Sequence, residues 1–423
     1  MKKGKLKVVF LLFFLCLFAF VSCGEKTQTT QSSVKKIVLW ETYGNEEHDE
    51  IVKIARNFEK ENPGVSIDIQ RVPWGGHESK LMTAMITHTA PDIARVDVAF
   101  LPRLVKSNSV LELTRFGEIN PENFVKAAIE SNIFEKDGKT GIYGLPDQTT
   151  GVALFYNKTL FQKAGIKKPP KTWDEFVKVA KKLTVDKNSD GKPDQFGFAM
   201  NASLWWLFPF FNTFGVKFIS QDGKKCLLNS PQGYNALQFI VDLYHKYKVE
   251  AGAWQSGAID PDTGFINGIY AMIFTGPWNV KKFKESGINF GISLIPAGPN
   301  GTSTNVGGTN MVIMRMAKHP EICFKFLKYL TSPQVQAMWC EDLGQIPVNL
   351  KAEKYIDFSK HPEIKIFFEQ MKTAIARPKV TSYQKLEITV NPYLYAALSG
   401  KMSVKEALDT VARKIEEEVL KEE

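Results

Sequence analysis

Apolar and polar positions follow two different periods over residues 37–72. Residues 37–40 form a short apolar run, and residues 65–72 alternate apolar with polar side chains, which is typical of strands. Between them, residues 49–61 carry apolar side chains at helical spacing until Asn-Pro-Gly ends the segment. The apolar residues of this helical face are Ile51, Ile54, Ala55 and Phe58. Strand, helix and strand in this order form a βαβ unit, which predicts a parallel sheet with helices on its faces.

Strand and helix signals of the same kind return further along the chain. Residues 152–156 are predicted to form a strand, and Thr172 with Glu175 three residues later forms a capping box at the start of a helix. Further helices are predicted to begin after Ser332, which proline follows, and after Ser403. The tryptophans expected in helical core positions are Trp173 and Trp339. These elements predict an α/β protein with two sheets and no internal repeat.

A third apolar run, residues 269–274, is closed by Thr-Gly-Pro and predicts a short buried strand. Trp278 follows just past its carboxyl end, which is where open α/β sheets have their ligand crevices. From position alone, Trp278 is either a ligand contact or a cap of the hydrophobic core.

The first 22 residues have the composition of an export signal. A basic start, MKKGKLK, precedes an apolar stretch too short to span a bilayer comfortably, and small residues mark a cleavage point before Cys23. The tetrapeptide FVSC resembles a bacterial lipobox, which predicts a lipid on Cys23; a simple secretory signal with an incidental cysteine is the alternative. Residues 23–34 are polar and are expected to form a flexible tether.

Length and charge limit the functional classes. The signal contains four lysines, so the exported chain keeps 50 of 54 Lys and Arg against 45 Asp and Glu, a net charge of +5. No basic run interleaves aromatic residues, so no nucleic-acid partner is predicted. About 390 residues exceed what one core usually holds, which predicts two lobes. The cysteines expected to be buried free thiols are Cys226, Cys323 and Cys340.

The sequence lacks the motifs of several enzyme classes. It has no Gly-x-Ser-x-Gly elbow, no His-Glu-x-x-His, no Walker loop and no Gly-x-Gly-x-x-Gly after a strand. A carboxylate pair for glycoside hydrolysis stays open, because such pairs come from distant parts of a chain. The sequence therefore favours binding without catalysis and without a cofactor.

The segment DKNSDGKPD, residues 186–194, has oxygen ligands at alternate positions with glycine sixth, as in the first half of an EF-hand-type calcium loop. The residues concerned are Asp186, Asn188, Asp190 and Asp194. Gly197 stands where the bidentate glutamate of such a loop would be, and a tight turn favours the same residue types. A plain turn is the favoured interpretation, with a weak calcium site as the alternative.

Tryptophans close to turns or polar groups are unusually frequent: Trp40, Trp74, Trp205, Trp206, Trp254 and Trp278. Aromatic plates with a few polar neighbours suit a sugar ring, which has apolar faces and hydroxyl edges. One plate covering about 80 Å² contributes only about 2 kcal/mol, whereas micromolar binding needs about 8 kcal/mol. Several plates and polar groups must therefore converge, which a cleft closing between two lobes can arrange.

Five blocks of the chain resemble, in order, the family 1 extracellular solute-binding proteins, the receptors of ABC sugar importers. The blocks are FEKENPGVSIDI (58–69), APDIARVD (90–97), ALFYNKTLFQKAGIKKPPKTWDEFVKVAKKLT (153–184), FTGPWN (274–279) and KFLKYLTSPQVQAMW (325–339). The resemblance implies two α/β lobes of the periplasmic-binding-protein fold, class II-like, joined by crossing hinge segments around a ligand cleft. The implied amino-terminal lobe is 35–148 with 308–356, and the carboxy-terminal lobe is 149–307 with 357–423.

The resemblance also implies contact residues. By similarity to maltose- and trehalose/maltose-binding proteins, Trp278 matches a cleft tryptophan that stacks on a sugar ring. Asp97 matches an acidic residue that accepts hydrogen bonds from sugar hydroxyls. Glu47 falls near a family position at the first helix start, where a carboxylate also suits the helix dipole without a ligand. Gln148 and Thr150 replace the aromatic or acidic contacts of relatives, so the contacts, and with them the substrate, are expected to differ.

Trp205 and Trp206 lie near a family segment that carries an aromatic plate. Adjacent residues do not share one face of a helix or strand, so only one of them is expected to reach the ligand. Three further tryptophans are either ligand plates or core residues: Trp40, Trp74 and Trp254. The last candidate is Tyr383, an aromatic ligand contact late in the chain.

The function implied is a receptor that captures a mono-, di- or oligosaccharide and delivers it to an ABC permease. Its expected partners are a carbohydrate, two membrane permease subunits with their cytoplasmic ATPase, and the membrane through a lipid anchor only. A monomer on the outer face of the cytoplasmic membrane, in the periplasm or at the cell surface, is expected. The alternatives are a same-fold receptor for a glycerol phosphate or ferric iron, an exported carbohydrate-active enzyme and a structural lipoprotein.

Overall fold

The computed structural model describes residues 34–422, so the predicted export signal, the lipidation site Cys23 and the tether up to residue 33 lie outside the described residues. In chain order the strands are β1 (Lys35–Glu41), β2 (Val65–Arg71), β3 (Ile93–Asp97), β4 (Ile133–Lys136), β5 (Lys139–Ile142), β6 (Leu145–Thr150), β7 (Ala153–Asn157), β8 (Met272–Thr275), β9 (Phe290–Ser293) and β10 (Gly307–Ile313).

The helices, in chain order, are α1 (Asn45–Glu61), α2 (His77–Ile86), α3 (Leu101–Lys106), α4 (Lys126–Glu130), α5 (Lys158–Lys163), α6 (Trp173–Leu183), α7 (Leu204–Thr213), α8 (Pro231–His245), α9 (Pro261–Ile266), α10 (Val280–Glu285), α11 (Pro320–Leu330), α12 (Pro333–Leu343), α13 (Pro362–Met371), α14 (Tyr383–Leu398) and α15 (Val404–Glu418). Short 3₁₀ turns occupy Thr114–Phe116, Pro121–Asn123, Pro277–Asn279, Leu350–Tyr355 and Leu420–Glu422. Within residues 34–422, no helix combines the length and apolarity that a bilayer crossing requires.

The first lobe is built on a five-stranded sheet in the order β2-β1-β3-β10-β6. The predicted βαβ unit is confirmed, because β1 pairs in parallel with β2 and α1 connects them. The prediction of a parallel sheet holds only for β2, β1 and β3. β10 is antiparallel to both β3 and β6, because β10 re-enters this sheet from the second lobe.

The second lobe contains a three-stranded antiparallel sheet in the order β8-β7-β9. The predicted strand 152–156 corresponds to β7, whereas the predicted strand 269–274 begins later, as β8 at Met272. Tyr270 instead makes an isolated bridge with Phe196. The apolar run is therefore longer than the strand, since part of it packs outside the sheet.

Both sheets are covered on two faces. In β3, Ile93 packs with the cluster that contains α1, α11 and α12, while the next residue, Ala94, packs with the cluster of α2 and α3. In β7, Leu154 and Phe155 likewise contribute to two different clusters. This alternation follows from the two-residue period of strands and explains why β7 and β8 are almost wholly apolar.

Helix starts and core residues agree with the sequence pattern. Thr172 Oγ1 accepts from Glu175 N at 3.3 Å and Ser403 Oγ accepts from Glu406 N at 3.2 Å, which cap α6 and α15. Trp173 is buried in the second lobe. The other predicted core residues, also confirmed as buried, are Trp339 and the free cysteines Cys226, Cys323 and Cys340.

The chain crosses between the sheets directly from β6 to β7 and returns through the segment before β10. Gly151 lies at the first crossing, where an added Cβ would stand 2.9 Å from both Asn305 O and Met371 Sδ. Only glycine allows this close approach of the crossing segments. The cavities described below lie beside these crossings, between the lobes.

Candidate functional site

Two neighbouring cavities lie along the groove between the lobes. The central cavity, about 410 Å³, is lined by Thr42, Glu47, Trp74, Arg95, Asp97, Gln148, Thr150, Trp205, Gly307, Gly308, Thr309 and Arg377. The lateral cavity, about 480 Å³, is lined by residues 74–79 together with Asp97, Ala99, Phe100, Arg103, Arg377, residues 381–384 and Glu387. The two cavities share Trp74, Asp97 and Arg377 in their walls.

Arg95, on β3, organises the first-lobe wall of the central cavity. Its Nε donates to Asp147 Oδ2 at 2.8 Å, which forms a buried ion pair. Its Nη1 donates to Thr42 Oγ1 at 2.6 Å, and its Nη2 donates to Gln148 Oε1. One guanidinium therefore fixes the orientation of two polar side chains that line the cavity.

Tyr43 contacts both members of the buried ion pair. Its hydroxyl donates to Asp147 Oδ2 at 2.5 Å, and the Arg95 guanidinium lies 3.8 Å from the centre of its ring. Burial, followed by the Asp147 carboxylate, raises the pKa of Tyr43 well above its ordinary value. Burial alone would lower the pKa of Arg95, but attraction to Asp147 and Tyr43 outweighs burial and raises it. Arg95 therefore remains charged across the physiological range.

A chain of amide and carboxylate groups extends this wall to the start of α1. Gln148 Nε2 donates to Glu47 Oε1 and to Gln345 Oε1, each at 2.9 Å. Gln345 Nε2 donates to the same Glu47 oxygen at 3.0 Å. Glu47 Oε2 accepts from Gly44 N at 2.8 Å, in the first turn of the helix. Glu47 is thus both a helix-capping group and a fixed carboxylate at the cavity wall.

Trp205, at the start of α7, forms the opposite wall. A Cβ added to Gly307 would stand 2.6 Å from Trp205 Cη2, so glycine at this position lets the indole lie against the crossing backbone. Asn305 Nδ2 also donates to Trp205 O at 3.1 Å. Thr150 Oγ1, near Gly307, is buried and finds no hydrogen-bond partner among residues 34–422. This side of the cavity offers an aromatic plate.

The junction of the two cavities is an ion pair. Arg377 Nη2 donates to Asp97 Oδ1 at 2.9 Å, and Ala99 N donates to the same oxygen at 2.7 Å. The Arg377 guanidinium lies 5.4 Å from the Trp205 ring centre and 4.8 Å from that of Tyr383. Arg377 Nε is a buried donor without an acceptor among residues 34–422. Burial alone would lower the pKa of Arg377, but attraction to Asp97 and Tyr383 raises it.

Trp206 and Trp278 form a separate aromatic pair. Their ring centres are 6.3 Å apart in an edge-to-face arrangement, and Trp206 also packs against the second-lobe core. Trp278 lies on the 3₁₀ turn Pro277–Asn279 and is 48% exposed. Just beyond it, Lys281 Nζ pairs with Glu46 Oε1 of the first lobe at 2.7 Å, next to Glu47. Trp278 therefore stands near a contact between the lobes, although it does not line either cavity.

Two of the predicted tryptophans lie away from both cavities. Trp40 Nε1 donates to Gln70 Oε1 at 2.9 Å, and Lys80 Nζ lies 4.7 Å from its ring centre. Trp254 Nε1 donates to the buried Glu250 Oε2 at 2.9 Å, and its ring contacts Tyr395. Each indole already has a structural partner, and a ligand role for either stays a prediction.

The candidate calcium loop forms a turn held by its own side chains. Asp186 accepts from Ser189 N and Gly191 N at 2.7 and 2.8 Å, and Asp194 accepts from Lys187 N at 2.7 Å. Asn188 and Asp190 accept from backbone amides two residues later. Within residues 34–422, no group of three or more His, Cys, Asp or Glu side chains is arranged to hold a metal ion.

The structure brings together seven of the residues singled out from the sequence, which line one or both cavities: Glu47, Trp74, Asp97, Gln148, Thr150, Trp205 and Tyr383. Sequence reasoning missed Arg95, Asp147, Gln345 and Arg377. The block that contains both Arg95 and Asp97 was recognised, but a buried arginine has no sequence signal until its carboxylate partner, 52 residues away, is known.

The chain is similar to known sugar-binding proteins in both sequence and fold. A family model described as bacterial extracellular solute-binding protein matches residues 40–337. The maltooligosaccharide ABC transporter solute-binding lipoprotein of Streptococcus pneumoniae is 23% identical over 94% of this chain and 93% of its own length. The galactooligosaccharide-binding protein of Bacillus subtilis is 24% identical over 97% of both chains. The solved sugar-binding protein MalE of Xanthomonas citri has the same two-lobed fold, with a TM-score of 0.81 and 24% identity over 90% of this chain and 97% of that one.

Proposed function

Since the chain belongs to the family of bacterial extracellular solute-binding proteins, we propose that it is the sugar receptor of an ABC importer. It captures a mono-, di- or oligosaccharide between its lobes by hinge closure and delivers it to the permease, without catalysis. The observation that carries this proposal is the central cavity, in which an indole, Trp205, faces a wall of fixed hydrogen-bonding groups around Arg95. An apolar plate opposite oriented polar groups suits a sugar ring.

Individual residues have distinct roles in this proposal. Trp205 covers one face of a sugar ring, while Gln148 and Glu47 hold its hydroxyl groups. Asp97 accepts from a hydroxyl with the oxygen that Arg377 leaves available. Trp278, exposed beside Trp206, closes over the ligand from the second lobe.

The topology supports the proposed division into lobes, residues 35–148 with 308–356 and residues 149–307 with 357–423. The relatives from S. pneumoniae and B. subtilis support an oligosaccharide ligand by their names alone. We further assign a lipid anchor at Cys23, a location on the outer face of the cytoplasmic membrane, a monomeric state, and partnership with two permease subunits and their cytoplasmic ATPase.

Tryptophan fluorescence and thermal unfolding of the exported chain, titrated with a panel of mono-, di- and oligosaccharides, test the proposal. Binding of one sugar class should shift the emission saturably and stabilise the fold by about 2.7 kcal/mol at a hundred times its dissociation constant. The sugar should be recovered unchanged after prolonged incubation. A response to glycerol phosphate or ferric iron alone would refute the sugar assignment, and cleavage of the bound sugar would refute the absence of catalysis.

A further inference from the structure

The first lobe has a second functional face, opposite to the one that carries the cavities. β1, β2 and β3 run in parallel, and the cavity residues Thr42 and Asp97 lie at the carboxyl ends of β1 and β3. The amino ends of these strands therefore form the opposite end of the lobe. β1 has seven residues, so the two ends are roughly 23 Å apart.

Three segments meet at this opposite end. Asp92 N donates to Val38 O at 2.9 Å, and Asp92 Oδ1 accepts from Lys318 N at 2.8 Å. Asp92 thus joins β1 to the loop that follows β10. His88 Nδ1 lies 3.3 Å from Met316 Sδ, which connects that loop to the turn after α2. The start of β1, the turn after α2 and the loop after β10 consequently form one surface.

The exposed residues of this surface, which we call the basal patch, are of two kinds. Three are apolar and each more than half exposed: Val34, Ile86 and Met316. Four are cationic and also exposed: Lys35, Lys36, Arg315 and Lys318.

The carboxylates near the basal patch neutralise only part of this charge. Asp68 pairs with Lys36 at 3.2 Å. The Asp92 carboxylate is buried and accepts from two backbone amides, those of Val38 and Lys318. Glu321 is an exposed carboxylate in the first turn of α11. Cations that surround exposed apolar side chains are typical of surfaces that bind anionic lipid headgroups.

The chain that precedes the basal patch leads to the predicted lipidation site. Val34 is the first described residue, and Cys23 lies eleven positions before it. Eleven residues span at most about 40 Å, even when fully extended. A lipid on Cys23 would therefore hold the basal patch, rather than the cavities at the other end of the lobe, next to the membrane.

We propose that the basal patch docks the anchored receptor on anionic lipid headgroups, with the cleft facing away from the membrane. Its lysine and arginine side chains pair with lipid phosphates, while Ile86 and Met316 enter the interface. The anchor keeps the patch at about millimolar effective concentration, so a weak affinity suffices for partial docking. The docked form captures solute, and its release lets the cleft turn towards the permease. This inference rests on the lipid anchor of the proposed function.

Hydrogen–deuterium exchange of the lipidated exported chain in vesicles tests the inference. Vesicles of phosphatidylcholine alone are compared with vesicles that also contain phosphatidylglycerol. On the anionic vesicles, amides of residues 86–90 and 315–318 should exchange at least about three-fold more slowly, because partial docking shields them. Amides of α7, in the second lobe, should exchange equally on both. Added salt should remove the difference, because it screens the charges.

A charge-reversal variant and a matched control assign the effect to the patch. Lys35→Glu with Lys318→Glu should return the exchange to the rate found on neutral vesicles, since each basic residue contributes about five-fold to binding. Lys167→Glu with Lys168→Glu makes the same charge change at exposed positions after α5, in the second lobe. This control should keep the full protection.

Ile86→Ser with Met316→Ser tests the apolar part of the patch and should weaken the protection by about two-fold. Sugar titrations with the same chains report on the receptor function separately. All variants should bind sugar within about two-fold of the parent, because the patch and the cavities lie one strand length, roughly 23 Å, apart. Thermal unfolding of each variant identifies any that is misfolded.

The docking surface is refuted if the parent exchanges equally on neutral and anionic vesicles. It is also refuted if the second-lobe control loses protection as fully as the patch variant, since the effect would then follow net charge alone. Either result leaves the sugar-receptor function standing, because the titrations measure it independently. Mass spectrometry that found Cys23 without a lipid would overturn the anchor and this inference together.

Discussion

The two walls of the central cavity differ in polarity: one is a hydrogen-bonded network and the other is an aromatic ring. On the first lobe, Arg95, Gln148 and Glu47 form a continuous hydrogen-bonded network among themselves. On the second lobe, the wall is the Trp205 indole packed against Gly307. In the proposed binding mode the polar wall exchanges its own hydrogen bonds for those of a ligand, so its net contribution to affinity is small and its main effect is to orient the ligand. Burial of a sugar face against the aromatic wall contributes affinity, and this contribution depends little on which sugar is covered.

Two buried carboxylates repeat this difference between the lobes. Asp147, beneath the polar wall, is paired with Arg95 at 2.8 Å. Glu250, in the second lobe away from both cavities, accepts from Gly252 N at 2.7 Å and from Trp254 Nε1 at 2.9 Å. Its partners are neutral donors, and burial raises the pKa of Glu250 to about 7. The first lobe thus pairs its buried carboxylate with a cation, whereas the second lobe surrounds its buried carboxylate with neutral donors.

The largest expected effect is the loss of the cation beneath the polar wall. Arg95→Met leaves the buried Asp147 without its cationic partner, which should destabilise the first lobe by about 3–5 kcal/mol in urea denaturation. The double variant Arg95→Met with Asp147→Leu removes both charges and should recover most of that stability while ligand affinity stays low. If Arg95→Met alone were as stable as the parent, the stability of the first lobe would not depend on the buried ion pair.

Glu250→Gln tests the contrasting carboxylate in the second lobe. The folded-state pKa of Glu250, about 7, exceeds its ordinary value of 4.5, so the folded protein binds the proton more tightly than the unfolded chain. Stability should therefore fall as pH rises from about 4.5 to 7, by up to about 3 kcal/mol, and change little above that window. Because Gln resembles the protonated acid, Glu250→Gln should flatten this part of the profile. Chemical unfolding at several pH values checks it, and an unchanged profile would count against the assignment.

Loss of the aromatic wall should affect affinity rather than stability. Trp205→Ala is expected to weaken sugar binding by about 2 kcal/mol, the burial of one plate, with a small change in thermal unfolding. Trp173→Phe, in the second-lobe core, is the matched control and should leave the dissociation constant unchanged. Calorimetry that found equal affinities for parent and Trp205→Ala would remove Trp205 from the site.

The smallest effect is expected at the exposed contact between the lobes. Lys281→Met removes the ion pair with Glu46, in which both side chains are mostly solvent-exposed. Affinity should change by less than about two-fold at moderate salt, because such pairs are screened. A loss of ten-fold or more would indicate that this contact, and not the cavity walls, holds the lobes around the ligand.

Much of the fold was predictable from local pattern. The βαβ unit at residues 37–72, the capped helices after Thr172 and Ser403, and the buried core positions of Trp173 and Trp339 depend on neighbours in sequence, so periodicity and capping signals suffice. Strand direction in the first sheet was predicted less well. β10 runs antiparallel to β3 because the chain has meanwhile crossed to the second lobe and returned, which no local pattern encodes.

Some residues of the candidate site were likewise predictable from the sequence, and others were not. Residue type and similarity to the family identified Asp97, Trp205 and Glu47, because carboxylates and tryptophans beside turns can be recognised from the sequence alone. The sequence by itself determined the family and the two α/β lobes, and it predicted an aromatic-rich binding surface. Only the tertiary structure decided that Arg95 meets Asp147 and that Arg377 joins Asp97 to Tyr383. The physical reason is that a buried ion pair is defined by distance in space, and its partners here are separated by 52 and 280 residues along the chain.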